Sequence, residues 1–257
     1  MKRLTVLLIL SLLTACSRTS KELVPVAPFD RAQGDISVSS LSSISSLSFP
    51  SSISSPSSSS SPTPYAQRPI PFSVALSVPF SPQAPFANWD AVHEEACEEM
   101  SLLLVHHRLA GTDLGHEQAE QELLALIAWE EEHGYPKDVT VEELGKIAKE
   151  YFGYRFRVIE GPSTEDLKRL LADGHSVIVP AAGRDLGNPH FSGEGPWYHM
   201  LVLTGYNEFF FITNDVGTKR GKDYVYRFET LLSAIHDWTG VKEEIRKGAR
   251  RVLVIEK

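Results

Sequence analysis

A serine-rich stretch separates the part of the chain that can fold from a part that cannot. Residues 37–61 contain 17 Ser among 25 positions, and their scattered Ile, Leu and Phe follow neither a helical nor a strand period. Such a segment cannot bury enough apolar surface to offset the entropy that ordering would cost. The sequence therefore predicts a flexible tether over residues 16–65.

The first 15 residues have the layout of an export signal. Lys2 and Arg3 precede an apolar run, residues 4–13, that is too short to cross a bilayer but long enough for a signal-peptide core. The segment that follows, Leu13-Thr14-Ala15-Cys16, resembles the lipobox of bacterial lipoproteins. The resemblance implies cleavage before Cys16, a diacylglycerol on its thiol, and anchoring to a bacterial membrane on the extracytoplasmic side of the cell envelope. An ordinary signal peptide with an incidental cysteine is the alternative.

Cysteine usage draws attention to a second thiol. The chain has two cysteines, so a lipid on Cys16 leaves Cys97 without a partner for an intrachain disulfide. Disulfides are common in exported proteins, and an unpaired cysteine there indicates a reactive group. A buried structural cysteine, which packs like a small apolar residue, is the alternative.

Charge narrows the choice of partners. The full chain carries −8, and removing residues 1–15 takes away two basic side chains and no acidic one, which gives −10 before acylation. An acidic surface argues against nucleic acid as a partner, so we expect none. We expect contact with a membrane through the lipid anchor.

The pair His106-His107 has no cysteine or further histidine at ligand spacing, so neither a metal nor a cofactor is expected. The triplet Glu130-Glu131-Glu132 predicts a charged surface.

Periodic apolar sequence begins at about residue 70, and residues 70–257 make up one domain's worth of chain. Helical spacing and capping signals predict helices over residues 97–109, 117–133, 140–151, 163–172 and 229–238. Strands are predicted over residues 155–159, 176–181, 199–205, 209–213, 224–228 and 251–255. Helices first and an antiparallel sheet afterwards predict an α+β fold.

Cys97 lies where a loop enters the first predicted helix. A thiol at a helix N-terminus is exposed to the positive end of the helix dipole, which favours the nucleophilic thiolate. The neighbouring Glu95, Glu98 and Glu99 act in the opposite direction, because their negative charge disfavours another anion. Activation of this thiol would therefore need an imidazolium partner.

His199 and Asp215 are candidates for that partner and its support. His199 begins an apolar strand, and Asp215 follows 16 residues later, directly after the next strand. If the two strands pair through the turn at residues 205–208, both side chains lie at one end of the sheet, where a carboxylate can orient an imidazole. A nucleophile on a helix and a base on a sheet, in the order Cys, His, Asp, is the papain arrangement. A half-buried histidine that is merely hydrogen-bonded is the alternative.

Several separated motifs over roughly residues 75–240 resemble the C39-like cysteine peptidase family, which is related to the domains that trim double-glycine leaders from bacteriocins. The motifs are Gln83-Ala-Pro-Phe-Ala-Asn-Trp89, Glu95-Ala-Cys97-Glu-Glu, Gly183-Arg184, Asn188-Pro189, Gly195-Pro-Trp-Tyr-His199-Met and Asn214-Asp215-Val-Gly217-Thr218. The resemblance implies a papain-like fold with Cys97 as nucleophile, His199 as general base and acid, and Asp215 as the orienting residue. Asn214 is the obvious substitute for Asp215.

The resemblance also implies an oxyanion-hole glutamine upstream of the nucleophile. Gln83 is the best candidate, with the backbone N–H of Cys97 as second donor. The spacing departs from the bacteriocin-processing pattern, where the glutamine closely precedes the cysteine, because here 14 positions separate the two (97 minus 83). A plain loop glutamine is the alternative.

Taken together, these features predict a lipid-anchored, extracytoplasmic cysteine peptidase that hydrolyses a peptide or related amide bond through an acyl-enzyme on Cys97. The expected partner is a peptide or protein substrate. A non-catalytic envelope binding module on the same fold is one alternative, and a transpeptidase or cell-wall amidase is another. The Gly- and Pro-rich residues 183–196 lead into His199, so they are predicted either to line the substrate groove or to form an ordinary connection.

Overall fold

Helices form the first part of the folded region. A computed structural model describes residues 69–257, so the predicted signal, Cys16 and the whole of the predicted tether lie outside the described residues. The first four helices are α1 (Cys97–Ala110), α2 (His116–Glu132), α3 (Val141–Phe152) and α4 (Thr164–Ala172). None of the helices in residues 69–257 is both long and apolar enough to cross a bilayer.

Local sequence signals explain where two of these helices begin. The side chain of Thr140 accepts a hydrogen bond from the backbone of Glu143, whose own side chain accepts from the Thr140 backbone. Ser163 and Asp166 form the same reciprocal arrangement ahead of α4. Each arrangement satisfies backbone N–H groups that have no partner within the helix, which confirms the two predicted capping boxes.

The second part is an antiparallel sheet. Its strands are β1 (Val74–Ala75), β2 (Arg155–Glu160), β3 (Val177–Ala182), β4 (Tyr198–Tyr206), β5 (Phe210–Asn214), β6 (Tyr224–Arg227) and β7 (Arg251–Glu256). The strands lie in the order β2-β7-β3-β4-β5-β6, and β1 also pairs with β4. A fifth helix, α5 (Phe228–Ala234), precedes β7. The predicted α+β class is confirmed.

Strand β4 lies at the centre of the fold and is buried along its whole length. Met200 and Val202 join the core cluster that contains side chains of α1, α2 and α3, whereas Leu201 and Leu203 join the cluster that contains side chains of α4 and α5. Alternate residues of a strand point to opposite faces of a sheet. Helices therefore cover both faces, which explains why this strand is almost continuously apolar.

Two features differ from the sequence-based expectation. Strand β1 was not predicted; it approaches β4 closely at Gly205, where a Cβ atom would lie 2.2 Å from the carbonyl oxygen of Val74. The predicted helix over 229–238 is too long, because α5 ends at Ala234. Beyond α5 the chain turns extended and brings the buried Asp237 to the start of α3, where its carboxylate accepts a hydrogen bond from the backbone N–H of Val141 at 3.0 Å. That contact cannot form if the helix continues.

Candidate active site

The fold brings the predicted nucleophile and base to one cavity. Cys97 is the first residue of α1, and His199 is the second residue of β4, against which α1 packs. Both side chains line a cavity of about 450 Å³. Asp215 directly follows β5, which pairs with β4 in an antiparallel hairpin.

His199 and Asp215 form a buried pair. His199 Nε2 lies 2.8 Å from Asp215 Oδ1, and the two side chains are 2% and 0% exposed, so the predicted proximity of the two residues is confirmed. Because a carboxylate only accepts hydrogen bonds, Nε2 carries the proton of a neutral ring. Nδ1 then holds the lone pair that can accept a proton from a thiol.

Asp215 is held by more than the imidazole. Its Oδ1 also accepts from the Gly217 backbone at 3.1 Å, and its Oδ2 accepts from Tyr226 Oη at 2.5 Å and Asn188 Nδ2 at 3.0 Å. Burial raises the pKa of Asp215, but the positive charge that His199 carries when protonated and the hydrogen bonds from His199, Tyr226 and Asn188 outweigh burial and lower that pKa below its ordinary value. The carboxylate is therefore ionised although it is fully buried.

Asn188 and Tyr226 are site residues that had no predicted role. Asn188 stands in one of the motifs quoted above, and Tyr226 lies in a predicted strand. Their chemistry was the one indication of a role, because a buried tyrosine hydroxyl or asparagine amide requires a hydrogen-bond partner. Their shared partner lies 27 residues from Asn188 and 11 from Tyr226.

The Cys97 thiol has a different partner from the one expected. Its Sγ donates to Glu98 Oε2 at 2.9 Å and accepts from the Met200 backbone N–H at 3.2 Å. Among the hydrogen bonds of residues 69–257, none joins Sγ to the His199 ring. In this structure the thiol is therefore hydrogen-bonded to Glu98 and not to the His199 ring.

The electrostatic surroundings keep this thiol protonated. Burial raises the pKa of Cys97 well above its ordinary value, and the charge and hydrogen bond of Glu98 raise it further. The Met200 N–H lowers the pKa, because it stabilises the thiolate, but it does not outweigh the other effects. The opposing influence of Glu98 and Glu99, expected from the sequence, is thus found in the structure.

The glutamates at the start of α1 belong to a buried acidic cluster: Glu98, Glu99 and Glu130. Glu130 does not lie on a charged surface as predicted, because α2 turns it inward to hydrogen-bond with Glu99. Burial, followed by the charge of Glu99, raises the pKa of Glu130 to about 11. Burial raises the pKa of Glu99 to about 7. Burial and the charge of Glu99 also hold the pKa of Glu98 well above its ordinary value.

Gln83 lines the same cavity and is buried. Its Nε2 donates to the carbonyl oxygens of His93 and Glu94 at 2.8 and 3.1 Å, and its Oε1 is buried without a hydrogen-bond partner. Gln83 therefore supports the turn that leads into α1. Its role as an oxyanion donor stays a prediction, which requires one of these amide hydrogens to turn toward the cavity.

Asn214 does not take the place of Asp215. Its Nδ2 donates to the carbonyl oxygens of Val78 and Pro79 at 3.3 and 3.1 Å, and its Oδ1 accepts from the Asp223 backbone at 3.2 Å. These bonds fasten the segment after β1 to the end of β5. Of the two neighbouring residues, Asp215 is the one that hydrogen-bonds to His199.

The segment between β3 and β4 forms one wall of the cavity. His190, Phe191 and Ser192 line it, as do Gly195 and Pro196, and the role of this segment in a substrate groove stays a prediction. The Phe191 ring packs edge-on against the His199 ring, with centroids 5.3 Å apart. Within residues 69–257, no group of three or more histidine, cysteine or acidic side chains is arranged to hold a metal ion.

Comparisons with known proteins reveal similarity only to solved structures. No family model and no curated protein matches the chain. One similar crystal structure is described as a C39-like peptidase from Bacillus anthracis; it is 16% identical, with a TM-score of 0.47, and the match covers 72% of this chain and 98% of that one. Another is xylellain, a cysteine protease from Xylella fastidiosa, at 13% identity and a TM-score of 0.31, over 74% and 87% of the two chains.

Proposed function

We propose that residues 70–257 form a papain-like cysteine hydrolase that cleaves a peptide or related amide bond, presented outside the cytoplasm by a lipid on Cys16. The observation that carries this proposal is the buried His199–Asp215 pair, joined over 2.8 Å, with Cys97 opening onto the same cavity. A nucleophile, a base and a group that orients the base are the three parts that nucleophilic acyl transfer needs.

The reaction begins with a change of partner at the thiol. Cys97 Sγ leaves Glu98 and presents its proton to His199 Nδ1, while Asp215 keeps the Nε2–H and stabilises the imidazolium that forms. The thiolate attacks the substrate carbonyl, and the S–C bond that forms gives a tetrahedral oxyanion. The Cys97 backbone N–H, which stands at the start of α1 where donors have no helical partner, can bind that oxyanion.

The imidazolium then returns its proton to the leaving amine, and the C–N bond breaks to leave a thioester on Cys97. A water molecule gives a proton to His199 and attacks the thioester, the C–S bond breaks to release the acid, and the thiolate takes the proton back from His199. If an amine replaced water at this step, the product would be ligated rather than hydrolysed. Detection of a ligated product would therefore identify a transpeptidase on the same machinery.

Replacement of Cys97 by Ala tests the assignment. In a C16S background, where Cys97 is the remaining cysteine, the starting protein should hydrolyse peptides from a mixed library and react with an electrophilic peptide probe. The C97A variant should do neither, and H199A should keep the thiol but lose the hydrolysis. Hydrolysis retained by folded C97A would contradict the proposal.

One observation favours a non-catalytic binding module as the second candidate. The thiol is hydrogen-bonded to Glu98, and burial together with the charge of that residue raises the pKa of Cys97, so the nucleophile is protonated at rest. In a binding module this arrangement would be permanent. Failure of the electrophilic probe to label the folded protein, with or without added peptides, would support this second candidate.

A further inference from the structure

The oxygen of Asp215 that faces away from His199 is held by two side chains from separate parts of the chain. Tyr226, on β6, donates its hydroxyl to Asp215 Oδ2 at 2.5 Å. Asn188, in the segment between β3 and β4, donates from Nδ2 to the same oxygen at 3.0 Å, and this nitrogen also lies 2.8 Å from Tyr226 Oη.

These contacts restrict the orientation of the carboxylate. Oδ1 faces His199 Nε2 and the Gly217 N–H, and Oδ2 faces the Tyr226 and Asn188 donors, so rotation of the group breaks bonds on both sides. A fully buried carboxylate stays ionised only where donors replace its lost water. Orientation and charge of Asp215 thus both depend on Oδ2 being occupied.

Asn188 also controls the shape of the cavity wall. Its Oδ1 accepts from the His190 backbone N–H at 3.0 Å, and its carbonyl oxygen accepts from the Phe191 N–H at 3.2 Å. Phe191 packs edge-on against the imidazole of His199 and lines the cavity. The Asn188 side chain therefore holds His190 in the cavity wall through Oδ1 and the carboxylate that orients the base through Nδ2.

We propose that Tyr226 and Asn188 are positioning residues: Tyr226 holds Asp215 in place behind His199, and Asn188 couples that carboxylate to the cavity wall at residues 190–192. This inference rests on the proposed hydrolase function and adds to it the prediction that substrate binding and base orientation are linked through Asn188.

The two residues predict different kinetic changes. Tyr226→Phe removes one donor to Asp215 and keeps the ring that packs against Tyr224 at 4.9 Å, so kcat should fall about tenfold or more while KM stays near its original value. With fewer donors Asp215 takes up a proton more readily, so the acidic limb of the kcat profile should move to higher pH. Asn188→Ala should lower kcat and also raise KM, because the wall loses the hydrogen bond from the His190 N–H to Asn188 Oδ1.

Tyr224→Phe is the matched control. Tyr224 lies on the same strand, its ring contacts Tyr226, and the hydroxyl bonded to Asp215 belongs to Tyr226 rather than to Tyr224. This variant should leave kcat, KM and the acidic limb unchanged. A Tyr226→Phe enzyme with the original kcat and acidic limb would overturn the role of Tyr226, and an Asn188→Ala enzyme with an unchanged KM would overturn the coupling.

A substrate-free measurement separates this inference from the proposed function. The proton between His199 Nε2 and Asp215 should give a low-field resonance in the proton NMR spectrum, which disappears in His199→Ala. Tyr226→Phe and Asn188→Ala should each shift or broaden it, and Tyr224→Phe should not. If the resonance responds in this way but the original protein cleaves no peptide, the positioning roles stand and the hydrolase proposal fails. An unaltered resonance in both variants would overturn the positioning roles.

Discussion

The Cys97 thiol donates its hydrogen bond to Glu98 Oε2 over 2.9 Å, although Cys97 and His199 line the same cavity. A hydrogen bond inside a protein contributes about 0.5–1.5 kcal/mol. At about 1.4 kcal/mol per factor of ten, this corresponds to roughly a two- to tenfold preference for the resting arrangement. Glu98 therefore sets how readily the thiol becomes available to His199.

Replacement of Glu98 by Gln should make the thiol more reactive. The amide has a similar size but no charge, so the pKa of Cys97 should fall toward its ordinary value, because the charge and hydrogen bond of Glu98 are causes of the rise second only to burial. We expect the rate of alkylation by iodoacetamide at neutral pH to increase about tenfold or more, since one pKa unit changes the thiolate population by that factor. The measurement is the alkylation rate as a function of pH.

Glu94→Gln provides the control for that experiment. Glu94 is exposed and also lines the cavity, so the substitution removes the same charge without touching the thiol. Its alkylation profile should match that of the original protein. If Glu98→Gln gives the same profile as Glu94→Gln, the contact with Glu98 does not govern the thiol.

The stability of the domain should decrease as pH rises above the ordinary glutamate range. Burial raises the pKa of Glu99 to about 7, and burial with the charge of Glu99 raises that of Glu130 to about 11, whereas an unfolded chain releases these protons near pH 4.3. Between those values the folded state binds more protons than the unfolded state, so its stability falls as pH increases. Denaturant unfolding measured at several pH values checks this slope.

Glu130→Gln should remove much of that slope and stabilise the domain at neutral pH by about 1–3 kcal/mol, because it replaces a group that is costly to ionise when buried. The exposed neighbour Glu131 on the same helix supplies the control Glu131→Gln, which should leave the slope as it is. If the unfolding free energy changes equally with pH in the two variants, Glu99 and Glu130 do not form a buried carboxyl pair.

Replacement of Gln83 by Ala should destabilise the turn before α1. Two carbonyl groups, those of His93 and Glu94, lose their donor, which we expect to cost about 1–3 kcal/mol. If Gln83 also serves the oxyanion, kcat should fall about 10²–10³-fold at a temperature where the variant is fully folded. Full activity of the folded variant would restrict Gln83 to its structural role.

The lipid anchor predicted from the sequence is tested at Cys16. In a bacterial host, the Cys16→Ser protein should incorporate no labelled fatty acid and should leave the membrane fraction, because a peptide without acyl chains has little affinity for a bilayer. The Cys97→Ser protein should be labelled and fractionate as the original does. Fatty-acid labelling of Cys16→Ser would contradict the lipobox interpretation.

Helix starts and strand pairing could be predicted because their causes lie within a few residues. Thr140 and Ser163 cap their helices with side chains three positions away. The hairpin of β4 and β5 brings His199 and Asp215 together through a short turn, which two apolar runs separated by a turn signal are sufficient to indicate.

What the sequence did not reveal depends on distant parts of the chain. Glu98, Glu99 and Glu130 look like surface residues, and their burial results from the packing of α1 against α2. Asn188 and Tyr226 are 38 positions apart and meet only because β6 and the segment after β3 converge on Asp215. No local sequence pattern predicts these contacts, since they depend on tertiary packing.

The position of β7 has a consequence for how the protein is made. Residues 251–256 form the strand between β2 and β3, and β2 has β7 as its pairing partner within the sheet. A chain is made N-terminus first. The sheet therefore cannot be completed until residues 251–256 have left the ribosome or an export channel. A product truncated before residue 251 would expose two open strand edges, which are prone to pair with other chains. Aggregation of the incomplete chain, rather than loss of a single contact, is the expected result of such truncation.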